Sequence, residues 1–264
     1  MAIHASAQVH PSAVIEPGAV IGEGCRIGPF SLIGSAVHLA AGVEVKSHAV
    51  VTGDTSVGEG TVIFPFACLG EIPQDLKFRG ERTRLVIGAR NRIREHVTMN
   101  TGTEGGGGVT QVGDDGLFMA GAHVAHDCRI GNRVILVNNV ALAGHVVIED
   151  EAIIGGLSGV HQFVRIGRGA MIGALSMVTA DVIPYGLVQG PRGILDGLNL
   201  VGLKRRGADR EEMRALRELL DDLGQGSFRD RARELAGAGG QGRLAQEVLD
   251  FILGPSDRSF LTPR

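Results

Sequence analysis

The stretch Val14-Ile15-Glu16-Pro17-Gly18-Ala19-Val20-Ile21-Gly22-Glu23-Gly24-Cys25-Arg26-Ile27-Gly28 decides the fold, because an aliphatic side chain returns at every sixth position. Extending the count both ways gives Ile3, Val9, Ile15, Ile21, Ile27, Ile33, Leu39, Val45, Val51, Val57, Ile63 and Leu69. Four residues after each stands a small or modest side chain, as at Ala7, Ala13, Ala19, Cys25, Ser31 and Ala49. The register breaks at Gly70, resumes at Ile87, Ile93 and Met99, and breaks again over a segment containing Gly105 to Gly108. It then runs from Val112 and Phe118 through Val124, Ile130, Leu136, Leu142, Ile148, Ile154, Val160, Ile166 and Ile172 to Val178. The three runs hold twelve, three and twelve hexads, 27 in all. A period of six fits neither a helix nor simple strand alternation. It marks a parallel β-helix of hexapeptide turns, in which three hexads close one triangular coil of about 18 residues. Nine such coils would stand roughly 43 Å tall at about 4.8 Å per layer.

The composition agrees. Of 264 residues 41 are glycine, roughly twice the usual share of about 7%, while there are nine Phe, one Tyr and no Trp. Disorder and collagen are excluded by 44% hydrophobic residues and only nine prolines without a Gly-X-Y period. Glycine is expected at the corners of the prism, and an interior of β-branched and leucine-sized groups accounts for the missing aromatics. The net charge of −3 argues against general nucleic-acid binding. No apolar run is long enough for a membrane span, and residues 1–10 do not read as a secretory signal. Three widely spaced cysteines, Cys25, Cys68 and Cys128, point to a reducing compartment, hence a cytoplasmic protein.

The domain reading is a β-helix over 1–190, with loop excursions near 70–84 and 101–111, followed by an α-helical domain over 191–264. The pattern ends at Pro184, and residues 191–264 hold 13 of the 26 basic and 12 of the 29 acidic residues. Asp209 with Glu212 reads as a capping box for a helix through Leu223. Ser227 is placed as the cap of a helix near Phe228 to Ala236, and Leu244, Val248, Leu249 and Ile252 mark a third.

Stacking turns spacing into geometry, since residues one coil apart lie about 4.8 Å apart. His126, Gly144 and Gln162 form one column; Asp127 and His145 begin the next, and His123 lies one corner earlier. His126 is a candidate general base, Asp127 its orienting carboxylate, and the bare Gly144 an approachable backbone N–H for an oxyanion. Two other readings stay open. One is a row of solvated corner residues. The other is a metal site on His123 and His126, against which stands the want of a third ligand at an obvious spacing. The Gly105–Gly108 run lacks the lysine and helix of a phosphate cradle and reads as a flexible loop. Lys204, Arg205 and Arg206 form a short basic run suited to a pyrophosphate. Arg90, Arg92, Arg94, Arg165 and Arg168 would offer a steering patch for an acidic partner.

Three segments, Ala122-His123-Val124-Ala125-His126-Asp127-Cys128, Ala143-Gly144-His145 and Val160-His161-Gln162-Phe163, resemble those of the UDP-N-acetylglucosamine O-acyltransferases. Gly70-Glu71-Ile72-Pro73-Gln74-Asp75-Leu76-Lys77 and Gly202-Leu203-Lys204-Arg205-Arg206-Gly207 are similar to that family too. The resemblance implies a left-handed β-helix. It also implies transfer of a fatty acyl group, usually 3-hydroxylated, from acyl carrier protein to the glucosamine 3-hydroxyl of UDP-N-acetylglucosamine, the first step of lipid A synthesis. It implies His126 as base, Asp127 as its orienter and Gly144 as oxyanion donor, with His123, His145, His161 and Gln162 lining the sugar and acyl site. Asp75 and Lys77 would reach it from the projecting loop, and Asn199 and Arg205 would hold the nucleotide end. Ala174, where some relatives carry glycine, would limit acyl length. The family is a homotrimer with sites between prisms and uses neither metal nor other cofactor, the acyl carrier protein thioester being the donor. A later N-acyltransferase of the same pathway, a sugar acetyltransferase and a non-catalytic β-helix binder are the rivals.

Overall fold

The computed structural model describes residues 2–240 and 242–263. Each hexad becomes one short strand, most of two residues, from Ala2–Ile3 to Met177–Val178. The 27 strands stack into three parallel sheets, each strand pairing with the one three places on, as Val20–Ile21 pairs with His38–Leu39. The result is a left-handed parallel β-helix. Its interior is the six-fold series itself: from Ile21 to Val178 every member is buried, while Ile3, Val9 and Ile15 lie partly open on the first coil. Phe118 is the exception to the aliphatic interior and is fully buried.

Corners differ from the expectation of glycine. Among the described residues fifteen other than glycine have positive φ, including Phe30, His48, Phe66, His96, Arg133, Asp127 and His145. An L-residue there costs about 1 kcal/mol or more, offset at many corners by a hydrogen bond from the corner N–H to the coil below, as His145 N–H donates to His126 C=O at 3.0 Å. The three edges carry different chemistry. One is an ion-pair ladder: Arg90 with Asp115 (2.7 Å) and Arg133 with Glu151 (2.6 Å). A second is an aromatic ladder in which Phe30, His48, Phe66 and His96 stack at 5.1–5.2 Å, Phe30 and Phe66 being more than half exposed. The third edge carries Asp127, His145 and Phe163.

After Val178 the sheet is extended by Gly186–Gln189, paired antiparallel with Ile194–Leu198. Four helices follow: α1 (Leu200–Arg205), α2 (Arg210–Leu223), α3 (Phe228–Ala238) and α4 (Arg243–Leu253). Asp209 caps α2 with the full reciprocal capping box to Glu212. Ser227 stands at the N-cap of α3 but its side chain caps nothing. Sequence pattern missed α1, whose N-cap is Asn199. Arg165 clamps helices to prism: it donates to the buried Asp181 at 2.8 Å and lies over the Phe251 ring at 4.4 Å. It, Arg90, Arg94 and Arg168 are thus committed to carboxylates, which removes most of the expected steering patch.

Between the two excursions, a fully buried Asn91 occupies a small-residue position. Its amide donates to the carbonyls of Gly88 (2.9 Å) and Gly113 (2.8 Å) and accepts from Gly116 N–H (2.8 Å). Thr61 Oγ1 also donates to Gly88 C=O at 3.0 Å, so Asn91→Leu leaves Gly113 C=O and Gly116 N–H without their side-chain partner and is expected to cost about 2 kcal/mol or more, read as a lowered urea midpoint. A change within the error of the parent contradicts the assignment.

Candidate active site

The third edge builds the site from two adjacent columns. His126 and Gly144 stack so closely that a Cβ on Gly144 would stand 2.4 Å from His126 Cε1, so only glycine leaves the ring its place. The Gly144 N–H finds no acceptor among the described residues. His126 and Asp127 are 6% and 5% exposed, and His126 Nδ1 lies 2.8 Å from Asp127 Oδ2. A carboxylate only accepts, so Nδ1 carries the proton and Nε2 presents its lone pair outward. His145 sits above, edge-on to the His126 ring (5.1 Å) and stacked on Phe163 (4.3 Å), its Nε2 3.8 Å from Asp127 Oδ2. His123 Nδ1 is 2.7 Å from Thr98 Oγ1.

Two cavities flank this pair. One, mostly apolar, is lined by Gln74, His123, Ala125, His126, Ala141, Ala143, Gly144, Gly159, His161, Gln162 and Met177. The other is polar and is lined by Asp75, Lys77, Phe78, Glu81, Thr103, Glu104, His145 and Phe163. The structure therefore brings together His123, His126, Asp127, Gly144, His145, His161, Gln162, Asp75 and Lys77. It does not bring Asn199 or Arg205 to them within one chain. Asn199 is occupied in capping α1, accepting from Gly202 N–H (2.9 Å) and donating to Gly169 C=O (3.0 Å) on the ion-paired edge. Arg205 lies exposed in the last turn of the same helix. Ala174 also falls elsewhere, exposed beside Leu175 at the aromatic edge and outside the apolar cavity, where Met177 stands instead.

Two site residues escaped the sequence reading. Arg258, far along the chain, donates to His161 Nδ1 at 2.9 Å. Met177 follows from register alone, since His123, Ala141, Gly159 and Met177 are successive partners in one sheet. The glycine run is no free loop, for it closes over Asp127. No third ligand joins His123 and His126 among the described residues; the group whose ligand atoms lie within 4.8 Å of one another is instead His126, Asp127 and His145. In that group Nδ1 of His126 is already turned to the Asp127 carboxylate.

The repeat matches the bacterial transferase hexapeptide family over residues 2–35, and so sets the class: a transferase built on stacked hexads. A second match, over residues 181–261, is to domain 2 of UDP N-acetylglucosamine O-acyltransferase. The chain is 80% identical over 195 residues to an acyl-[acyl-carrier-protein]–UDP-N-acetylglucosamine O-acyltransferase of Paracoccus denitrificans, covering 74% of each. It is 52% identical to the enzyme of that name from Rhizobium johnstonii, covering 89% of this chain and 87% of the relative. In structure it is similar to a UDP-N-acetylglucosamine acyltransferase from Campylobacter jejuni, with a TM-score of 0.91, 36% identity, and coverage of 97% of this chain and 100% of that one. This chain belongs to the UDP-N-acetylglucosamine O-acyltransferase family and is an acyltransferase.

Burial pushes both His123 and His145 below the ordinary histidine range; the His126 charge lowers each further, while the Asp127 carboxylate opposes the shift at His145. The unfolded chain, with histidines near 6.5, therefore binds protons more readily than the folded one just below that pH. Stability from these two groups is complete above about pH 6.5 and falls as pH drops toward their folded values. His123→Gln should flatten this fall in the thermal midpoint; an identical pH slope would contradict the burial effect.

Proposed function

We propose that this chain transfers a fatty acyl group from the thioester of acyl carrier protein to the 3-hydroxyl of UDP-N-acetylglucosamine, opening lipid A synthesis in the cytoplasm. The observation that carries the mechanism is the buried His126–Asp127 pair under the bare Gly144 amide. The sugar hydroxyl gives its proton to His126 Nε2 as its oxygen attacks the thioester carbonyl. Asp127 holds the ring and stabilises the imidazolium. The Gly144 N–H donates to the oxyanion, and collapse expels the thiolate, which takes the proton back from His126. Transfer is direct. The cysteine beside the pair, Cys128, is buried, its thiol pushed up to about 12, and it donates to Ala143 C=O. That is the opposite of an activated nucleophile.

The polar cavity with Asp75, Lys77 and His145 suits the sugar, and the apolar groove past Ala141 and Gly159 toward Met177 suits the acyl chain. His161 and Gln162 lie on the groove wall. No metal takes part in this reading, so exhaustive chelation should leave the rate unchanged. Loss of activity restored by a divalent ion would overturn that part of it. For the reaction itself, UDP-N-acetylglucosamine and acyl carrier protein thioesters are the assay substrates. His126→Ala should lose about 10²–10⁴-fold in rate with its melting temperature kept, and Gly144→Ala should also lose most activity by displacing the ring. A His126→Ala rate near the parent's removes His126 from the chemistry.

The same reading includes a homotrimer in which the nucleotide end is held by Asn199 and Arg205 of a second copy. Two features support it: those residues sit on a different edge from His126, and the Phe30–His48–Phe66–His96 ladder is apolar and uncovered. Light scattering should give three times the 27.6-kDa chain mass. Phe30→Glu with Phe66→Glu should lower the mass; a monomeric parent would sink the assembly.

A further inference from the structure

The sequence reads the Gly105–Gly108 run as a flexible loop, and the geometry of the segment from Gly102 to Gly108 says otherwise. It lies against the one carboxylate on which the general base depends. The Thr103 backbone N–H donates to Asp127 Oδ1 at 2.8 Å, and the Thr103 hydroxyl donates to Oδ2 at 2.6 Å. Oδ2 is the oxygen that also accepts from His126 Nδ1. Further along, Gly106 comes so near that a Cβ there would stand 2.0 Å from Asp127 Cγ. From below, Thr110 Oγ1 accepts from the Asp127 backbone N–H at 2.8 Å. Together these leave the Asp127 side chain 1% exposed.

We propose that Thr103 is a positioning residue of the acyl transfer, acting through Asp127, and that Gly106 is the backbone lid that keeps water from that carboxylate. This rests on the reading of His126 as base. The physical need is plain. A buried carboxylate is tolerated only when its oxygens are hydrogen-bonded. With both oxygens pinned by Thr103, Asp127 can neither rotate away from Nδ1 nor release it to another acceptor, so the productive tautomer of His126 is fixed. Charged and titratable groups around the pair are His123, His145, Asp75, Lys77, Glu81 and Glu104. Of these His145 comes within 3.8 Å of Oδ2, and none donates to Asp127 within hydrogen-bond distance. Among the described residues, Thr103 and His126 alone donate to the Asp127 carboxylate.

Thr103→Val keeps the shape and the backbone donor and removes only the hydroxyl. The expected result is a kcat about tenfold or more lower, with KM for both substrates within about threefold. Thr103→Ser should bring kcat back to within about threefold of the parent. In an Asp127→Asn background the valine change should add little, since the group it acts through is already altered. Gly106→Ala should lower kcat as well, by displacing the carboxylate. Independently of activity, NMR of the His126 ring should show the Nδ1 proton protected from exchange in the parent and the serine variant, and exchanging fast in the valine variant. A valine variant with parental kcat and a protected ring proton overturns the proposal. So does a loss that is fully additive with Asp127→Asn. Should the parent transfer no acyl group, the acyl-transfer reading falls, and the ring proton alone decides whether Thr103 holds the pair.

Discussion

Everything in this molecule hangs on one constraint: each coil must close and hand its backbone N–H groups to the carbonyls of the next. A strand of two residues has no stability of its own. It persists because both its neighbours along the prism axis are in register and because its aliphatic member is sealed inside. Register is therefore not negotiable, and chain that does not fit the coil must leave the prism as an excursion and return in phase. Strand Arg84–Ile87 pairs with Asp54–Val57 as if the residues between did not exist. The price is paid at corners, where residues such as His145 and Asp127 hold positive φ.

That rigidity is also what makes a site. Columns about 4.8 Å apart put a histidine ring under a glycine and a carboxylate beside it without any help from a flexible loop. The two excursions then supply what columns cannot. The first brings Asp75 and Lys77 over the edge toward His145, and the second carries Thr103 onto Asp127. A stiff scaffold sets the reacting groups, and the inserted segments enclose them. The three edges have separate tasks for the same reason, one ion-paired, one aromatic and one carrying the histidines.

Much of this was legible in the sequence because a period of six is a geometric statement. The 27 hexads are the 27 strands, and the placing of Gly144 over His126 follows from counting. What spacing could not show are contacts made by chain outside the period. Nothing in Gly105-Gly106-Gly107-Gly108 says which side chain the run meets: Gly107 and Gly108 turn the chain at positive φ, and Gly106 alone of the four is there for close approach, against Asp127. Arg258 meets His161 across 97 positions. Asn199 seemed a ligand group, and within one chain it is a helix cap. Ala174, which the resemblance puts on the acyl path, stands within one chain at the aromatic edge, and register puts Met177 in the groove.

The central claim is that a base on a rigid edge moves the acyl group straight from donor to sugar hydroxyl. Initial rates measured against both substrates test it most directly. Direct transfer requires both to be bound together, so double-reciprocal lines should converge, and protein mixed with the acyl thioester alone should keep its mass. Parallel lines with a stoichiometric acyl adduct on the protein would contradict the account.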